Sequence, residues 1–314
     1  MEVPVKLNHP WLIAVWPGMG NVAISAGYYL VAKLGMELLN EFSPVELFDV
    51  EHVNVKNGLI QPAQRPRNRM FVWRDPEGLR DIVVFIGEAQ LQAGKYSFCR
   101  RLVESAQVLG IERVFTFAAM ASDMQPGQLS RVFVAATDER DLNGLRQHDL
   151  LLLEEGQIGG LNGVLLAAAY EAGLSGTCLL GEMPHVFLQF PFPKASLVVL
   201  DTFTSIAHLE LDTSELAEQA TAVDERLEEI LFRVQDAMEK QSPRTEEFEA
   251  FPESETEPEP EPRLSAADEQ QIENLFSQAE RERAKAYELK QELDRLGVFA
   301  EYEDRFLDLF KRSE

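Results

Sequence analysis

The sequence predicts an α/β fold built on a largely parallel sheet, and three observations predict it. Several apolar runs, such as Trp11-Leu12-Ile13-Ala14-Val15-Trp16 and Thr177-Cys178-Leu179-Leu180, show no alternation, as strands covered on both faces do. The first run is followed by Pro17-Gly18-Met19-Gly20-Asn21 and then a helical pattern, which is a strand, a glycine turn and a helix in succession. A second unit of the same kind runs from Glu154 to Pro184. Its loop carries Gly156, Gly159, Gly160 and Gly163, and its small apolar helix ends where Gly173 supplies a left-handed cap.

Length and composition set the limits. The chain has 314 residues, 45% of them hydrophobic, with a formal net charge of -24. That length suits one large α/β domain with an appendage, or two modest domains. The acid excess argues against a duplex DNA or RNA partner, which would call for a basic surface. Cys99 and Cys178 are isolated in apolar segments and read as reduced core residues of a cytoplasmic protein. The opening Met1-Glu2-Val3-Pro4-Val5-Lys6 lacks the basic start and apolar run of a signal peptide, and no apolar run is long enough to span a bilayer.

The elements follow in order. After the first strand a helix is expected from Val22 to Leu34, then strands over Met36–Phe42 and Val45–Val55. Gln61–Asn68 is a polar loop, and Arg65, Arg67 and Arg69 make the densest basic spot of the globular part. It reads as a solvated hairpin tip, with anion binding as the other reading. Met70–Trp73 and Asp81–Ile86 are strands, and Phe98, Leu102, Val103, Ala106 and Leu109 give Tyr96–Leu109 a helical spacing. Arg113–Ala118 and Arg131–Ala136 are strands, and Thr137 is the expected N-cap of a helix reaching Gln147. Phe187–Pro193 cannot be a helix interior because of its prolines. Helices follow over Lys194–Leu209 and from Asp212-Thr213 to Lys240.

Residues 1–240 therefore form the α/β domain. The segment 241–263 changes character. Pro243–Pro262 carries eight Glu and five Pro and is expected to be a disordered linker. Residues 264–314 form a C-terminal helical segment, with Ser265 and Asp268 as a capping pair and one helix expected to reach Leu296. Gly297 breaks it, and Phe299–Lys311 continues as a short amphipathic helix. The thin apolar stripe of a tethered helix points to self-association or docking on a protein partner.

Loops that follow buried strands gather at one sheet edge, where open α/β sheets place their ligand crevice. The candidate crevice residues are Gly18, Met19, Gly20, Asn21, Gly87, Glu88, Met120, Gly159, Gly160, Asn162, Gly163, Gly181 and Glu182. Glu88 and Glu182 each follow a glycine at the end of an apolar strand. If they face each other in a dry cleft, one is held protonated as a general acid, with Lys95 as a counter-charge. The plain structural alternative is that each accepts hydrogen bonds from loop backbone. Gly18-Met19-Gly20 is only a partial dinucleotide fingerprint, with Ala23 where its third glycine would fall. His185 is the best placed of five scattered histidines, and no serine has the hydrolase elbow. The pattern assigns no metal, no cofactor and no catalytic residue.

Pro17-Gly18-Met19-Gly20-Asn21-Val22-Ala23, Gly159-Gly160-Leu161-Asn162-Gly163-Val164-Leu165 and Gly173 to Glu182 together resemble the proteasome assembly chaperone type 2 family, over about Pro10 to Lys240. The resemblance implies a three-layer α/β sandwich with a mixed, largely parallel sheet similar to nucleoside phosphorylases. It also implies a homo-oligomeric, chaperone-like or scaffold protein. Some archaeal relatives dock into the proteasome through a C-terminal hydrophobic-Tyr-any motif, and here Ser313 stands in the place of the Tyr. Bacterial relatives have been called carboxylate–amine ligases, a label this sequence backs with no metal-binding carboxylate set. The other reading is a binder or enzyme for a small anionic metabolite or nucleotide at the glycine-loop crevice.

Overall fold

The computed structural model describes residues 6–43, 48, 53, 55–56, 58–62, 65–240 and 264–311. The expected linker 241–263, most of the expected strand at Val45–Val55, and the last residues, Ser313 included, lie outside the described residues. Its centre is an eight-stranded sheet in the order β2-β5-β6-β1-β7-β10-β8-β9. These are β1 (Trp11–Val15), β2 (Glu37–Phe42), β5 (Asn68–Trp73), β6 (Ile82–Gly87), β7 (Arg113–Ser122), β8 (Val132–Ala136), β9 (Leu151–Leu152) and β10 (Ser175–Pro184). A separate pair, β3 (Val55–Lys56) and β4 (Leu59–Ile60), forms a short antiparallel ribbon. The four central strands β6, β1, β7 and β10 run parallel, whereas β2, β5 and β8 pair antiparallel at the flanks.

β1 is buried along its whole length because both faces of the sheet are covered. Its alternation divides the interior into two cores. Trp11, Ile13 and Val15 join one, and Leu12, Ala14 and Trp16 the other. The first core lies beneath α1 (Val22–Lys33) and α5 (Pro193–Ala207), with α6 (Ser214–Lys240) packed outside α5. The second lies beneath α2 (Lys95–Val108) and α4 (Gly160–Glu171). The result is the expected three-layer sandwich with a mixed, largely parallel sheet. Cys99 and Cys178 are buried in the second core, and burial pushes both thiols up to about 12, so they are inert at neutral pH.

Some boundaries differ from the sequence reading. α3 (Glu139–Leu145) is capped by Asp138, whose Oδ1 accepts from Asp141 N at 2.8 Å. Thr137 instead accepts from Gly176 N at 2.8 Å, tying the end of β8 to the start of β10. α4 begins at Gly160, so Asn162 and Gly163 belong to its first turn and not to a loop.

The tail is three helices, not two: α7 (Ala266–Arg281), α8 (Ala286–Arg295) and α9 (Phe299–Asp308). The Ser265–Asp268 capping box is present, but Glu282 leaves the helical region and splits the expected long helix. The tail folds onto its own body. Ile272, Phe276, Leu289, Leu293, Phe306 and Phe310 are buried in the first core. Tyr287 meets Tyr29 of α1 edge-on at 4.4 Å, and Phe310 meets Phe71 of β5 at 6.2 Å. The stripe read as a docking face is thus filled within the chain. β2 carries a bulge between Leu38 and Asn40, and Leu38 N donates to Phe310 O at 2.7 Å.

Candidate functional site

The carboxyl ends of the four parallel strands form a crest where the two glycine turns meet. Gln90, just beyond β6, joins them. Its Nε2 donates to Pro17 O at 3.2 Å, and its Oε1 accepts from Leu161 N at 3.0 Å. The first turn reverses through Gly20 and Asn21, both in the left-handed region. It is pinned from the far side, because Gly20 N donates to Leu188 O and Phe192 N donates to Gly20 O, each at 2.9 Å. Gln90 was not singled out in the sequence, since nothing in its local pattern marks it. Replacing it with Ala removes two hydrogen bonds and leaves Leu161 N without its acceptor, at a cost of about 1–3 kcal/mol. Amide exchange at residues 160–163 is expected to rise in that variant, and unchanged protection there would contradict the brace.

The glycines of the crest serve close packing more than open space. A Cβ on Gly87 would lie 2.3 Å from Trp16 Nε1, one on Gly163 2.0 Å from Ile158 O, and one on Gly181 2.5 Å from Ala195 O. Gly20 sits on Met183, and Gly160 sits on Gln90. Gly18 and Gly159 have open space around the Cβ position. Met19 is exposed, Asn162 is buried with no partner for its Oδ1, and Met120 packs against the second core beside Glu182 in register.

Glu88 and Glu182 do not face each other. β1 and β7 stand between their strands, which puts the two backbones about 14 Å apart at the usual strand spacing. Glu182 is buried and takes a two-pronged grip from Arg131, with Nε to Oε2 at 2.7 Å and Nη2 to Oε1 at 2.6 Å. That guanidinium holds the Glu182 carboxyl below the usual carboxylate range. Glu182 is therefore an ionised clasp between β10 and the start of β8, and not a general acid. The Arg131 backbone N–H also donates to it, so the plain alternative of loop backbone donors describes Glu182 in part.

Glu88 fits that alternative in part. Its Oε2 accepts from Arg67 N at 2.7 Å, and its Oε1 lies 3.4 Å from Arg69 Nη1. Lys95 does not serve as its counter-charge, because α2 covers the other face of the sheet. Burial, and then the Glu303 carboxylate of α9, push Glu88 up to about 7. Burial raises Glu303 as well, and Tyr28 of α1 donates to it. The basic spot is not a solvated tip. Arg69 is 1% exposed and bonded to Asp304, whereas Arg67 forks onto Glu41 at 2.5 and 2.7 Å and reaches Asp304 at 2.8 Å.

A cavity of about 420 Å³ lies along the flank of α4, lined by Thr137, Leu153, Glu154, Ile158, Gly163 and Tyr170 among others. Gly163 is the only one of the candidate crevice residues that lines it. Among the described residues no group of three or more His, Cys, Asp or Glu is placed to hold a metal ion, and no helix is long and apolar enough to cross a membrane.

The fold and crest define an α/β sandwich whose polar rim is largely paired with itself. The PAC2 family model matches residues 12–231, and the chain belongs to this family. It is similar to Pyrococcus furiosus PbaB, described as an archaeal proteasome activator, with 26% identity and a TM-score of 0.61, covering 74% of this chain and 95% of that one. A PAC2 family protein from Streptomyces avermitilis is 25% identical with a TM-score of 0.61, covering 70% of this chain and 95% of its own. An uncharacterised Methanocaldococcus jannaschii protein is 26% identical over 230 residues, 71% of this chain and 84% of that protein.

Proposed function

We propose that this chain is a non-catalytic, oligomeric, chaperone-like or scaffold protein of the cytoplasm that recruits a protein partner. The observation that carries the reading is the pairing at the crest. Glu182 is committed to Arg131, Glu88 to Arg67 and Arg69, and Gln90 spans the two glycine turns. A rim of this kind leaves few polar groups aimed at a substrate. Likeness to a protein described as a proteasome activator supports a role exercised on a protein partner.

The competing reading is a small-anion or nucleotide site at the glycine turns. A thermal-shift screen with nucleotides and nucleosides separates the two, because a ligand that binds only the folded state raises the midpoint. The expected result is a shift under about 1 °C with every compound, together with co-elution with proteasome core particles. A shift of several degrees that disappears in Gly20→Val would favour the small-ligand reading instead.

A further inference from the structure

We propose that the groove between α1, β2 and β5 is a docking surface for an acidic helix bearing two phenylalanines four residues apart, and that α9 fills it within the chain as a displaceable stand-in. The inference rests on the partner-recruiting reading above and names the surface that would serve it. The floor is apolar, with Tyr28, Met36 and Phe71 buried and Leu38 packed beside them. Phe306 on α9 and Phe310 in the turn just beyond it meet edge-on at 5.7 Å, so both rings lie on one side of the segment. Phe306 meets Tyr28 at 6.0 Å, and Phe310 meets Phe71 at 6.2 Å. The rim is cationic, with Arg67 and Arg69 both on Asp304 and Arg67 Nη1 3.6 Å from Asp308. In a chain of net charge -24 this is a specific receptor for a carboxylate-bearing helix.

Two observations separate the occupant from its site. The family match ends at residue 231, so the groove belongs to the family unit and the tail does not. The fit under α9 is also imperfect. Glu303 and Glu88 are brought together as like charges, Arg69 Nε has no hydrogen-bond partner, and Arg69 Nη1 reaches Glu88 only at 3.4 Å. Lys290 of α8, Glu41 of β2 and Asp308 complete the charged surroundings.

The test uses the full chain and a fluorescent peptide of residues 296–311 as the probe. Asp304 is 57% exposed at its side chain, so Asp304→Lys should loosen α9 without emptying the core. Anisotropy is expected to show the peptide binding Asp304→Lys at least about ten-fold more tightly than the unaltered chain. Adding Arg67→Glu to that variant should abolish the gain. Should Asp304→Lys fail to fold, hydrogen exchange of α9 in the unaltered chain decides, with protection expected to fall as peptide is added. Absence of binding to a folded Asp304→Lys chain, or α9 protection indifferent to peptide, makes α9 a fixed part of the core and overturns the proposal. Concentration-dependent dimerisation of Asp304→Lys without peptide binding places a second copy in the groove and also overturns it. Neither result touches the nucleotide screen or co-elution with proteasome particles, so the broader reading stands or falls separately.

Discussion

Gly181→Val is expected to be among the most costly single changes at the crest. Gly181 lies inside β10 where α5 crosses it, and a Cβ there would sit 2.5 Å from Ala195 O and 3.0 Å from Val199 Cγ2. The near neighbour is backbone, so no rotamer change can relieve the clash, and α5 would have to lift from the sheet. Overpacking usually costs about 1–3 kcal/mol, and displacing a whole helix lies at or above the top of that range. In a chain of this size that corresponds to a midpoint lower by roughly 5–10 °C, or to loss of soluble protein. Gly18→Ala is the control, since nothing lies within 4 Å of its Cβ position, and it should leave the midpoint unchanged. Equal effects from the two substitutions would refute the packing account of these glycines.

Glu88→Gln should stabilise the protein, and only at neutral to alkaline pH. The folded state raises Glu88 from the ordinary 4.5 to about 7. Its favourable contribution is therefore complete below about pH 4.5 and is lost as the pH rises through 7. Above that, an ionised Glu88 opposes folding by about 3 kcal/mol at most, since each pKa step is worth 1.36 kcal/mol and Arg69 offsets part of it. Gln imitates the protonated carboxyl and keeps an acceptor for Arg67 N. Melting curves at pH 4 should nearly overlay those of the unaltered chain, whereas at pH 8.5 the variant should melt several degrees higher. A gain of the same size at both pH values would mean that burial of this carboxyl is not the cause.

The architecture was legible because it is written in local patterns. Unalternating apolar runs give strands covered on both sides, and the Gly173 and Ser265 signals end or start their helices where expected. The site was legible only as a list of turns. Gly87, Gly163 and Gly181 were read as openings for a ligand, yet the missing Cβ of each admits Trp16, the Ile158 carbonyl or α5. A single sequence does not distinguish a glycine that lets backbone approach a ligand from one that lets it approach its own protein. Glu88 and Glu182 share a glycine-carboxylate signature, but their strands are separated by two others, and strand order is set by long-range pairing that no window reveals. Arg67 and Arg69 looked solvated because Asp304 and Asp308, which join Glu41 and Glu88 around them, stand more than two hundred positions along the chain. The split of the tail at Glu282 also escaped, since no glycine or proline marks it.

The two borders of the sheet carry a further consequence. One ends in β9, which is only two residues long, and the other in β2, which is kinked by its bulge and has Leu38 N already claimed by Phe310. An open sheet grows by lending a straight row of unpaired amides and carbonyls to a newcomer, and neither described border offers a row of that kind. Copies of this protein that associate should therefore meet through helices or loops, and concentrated solutions should resist the ribbon-to-ribbon stacking that seeds fibrils.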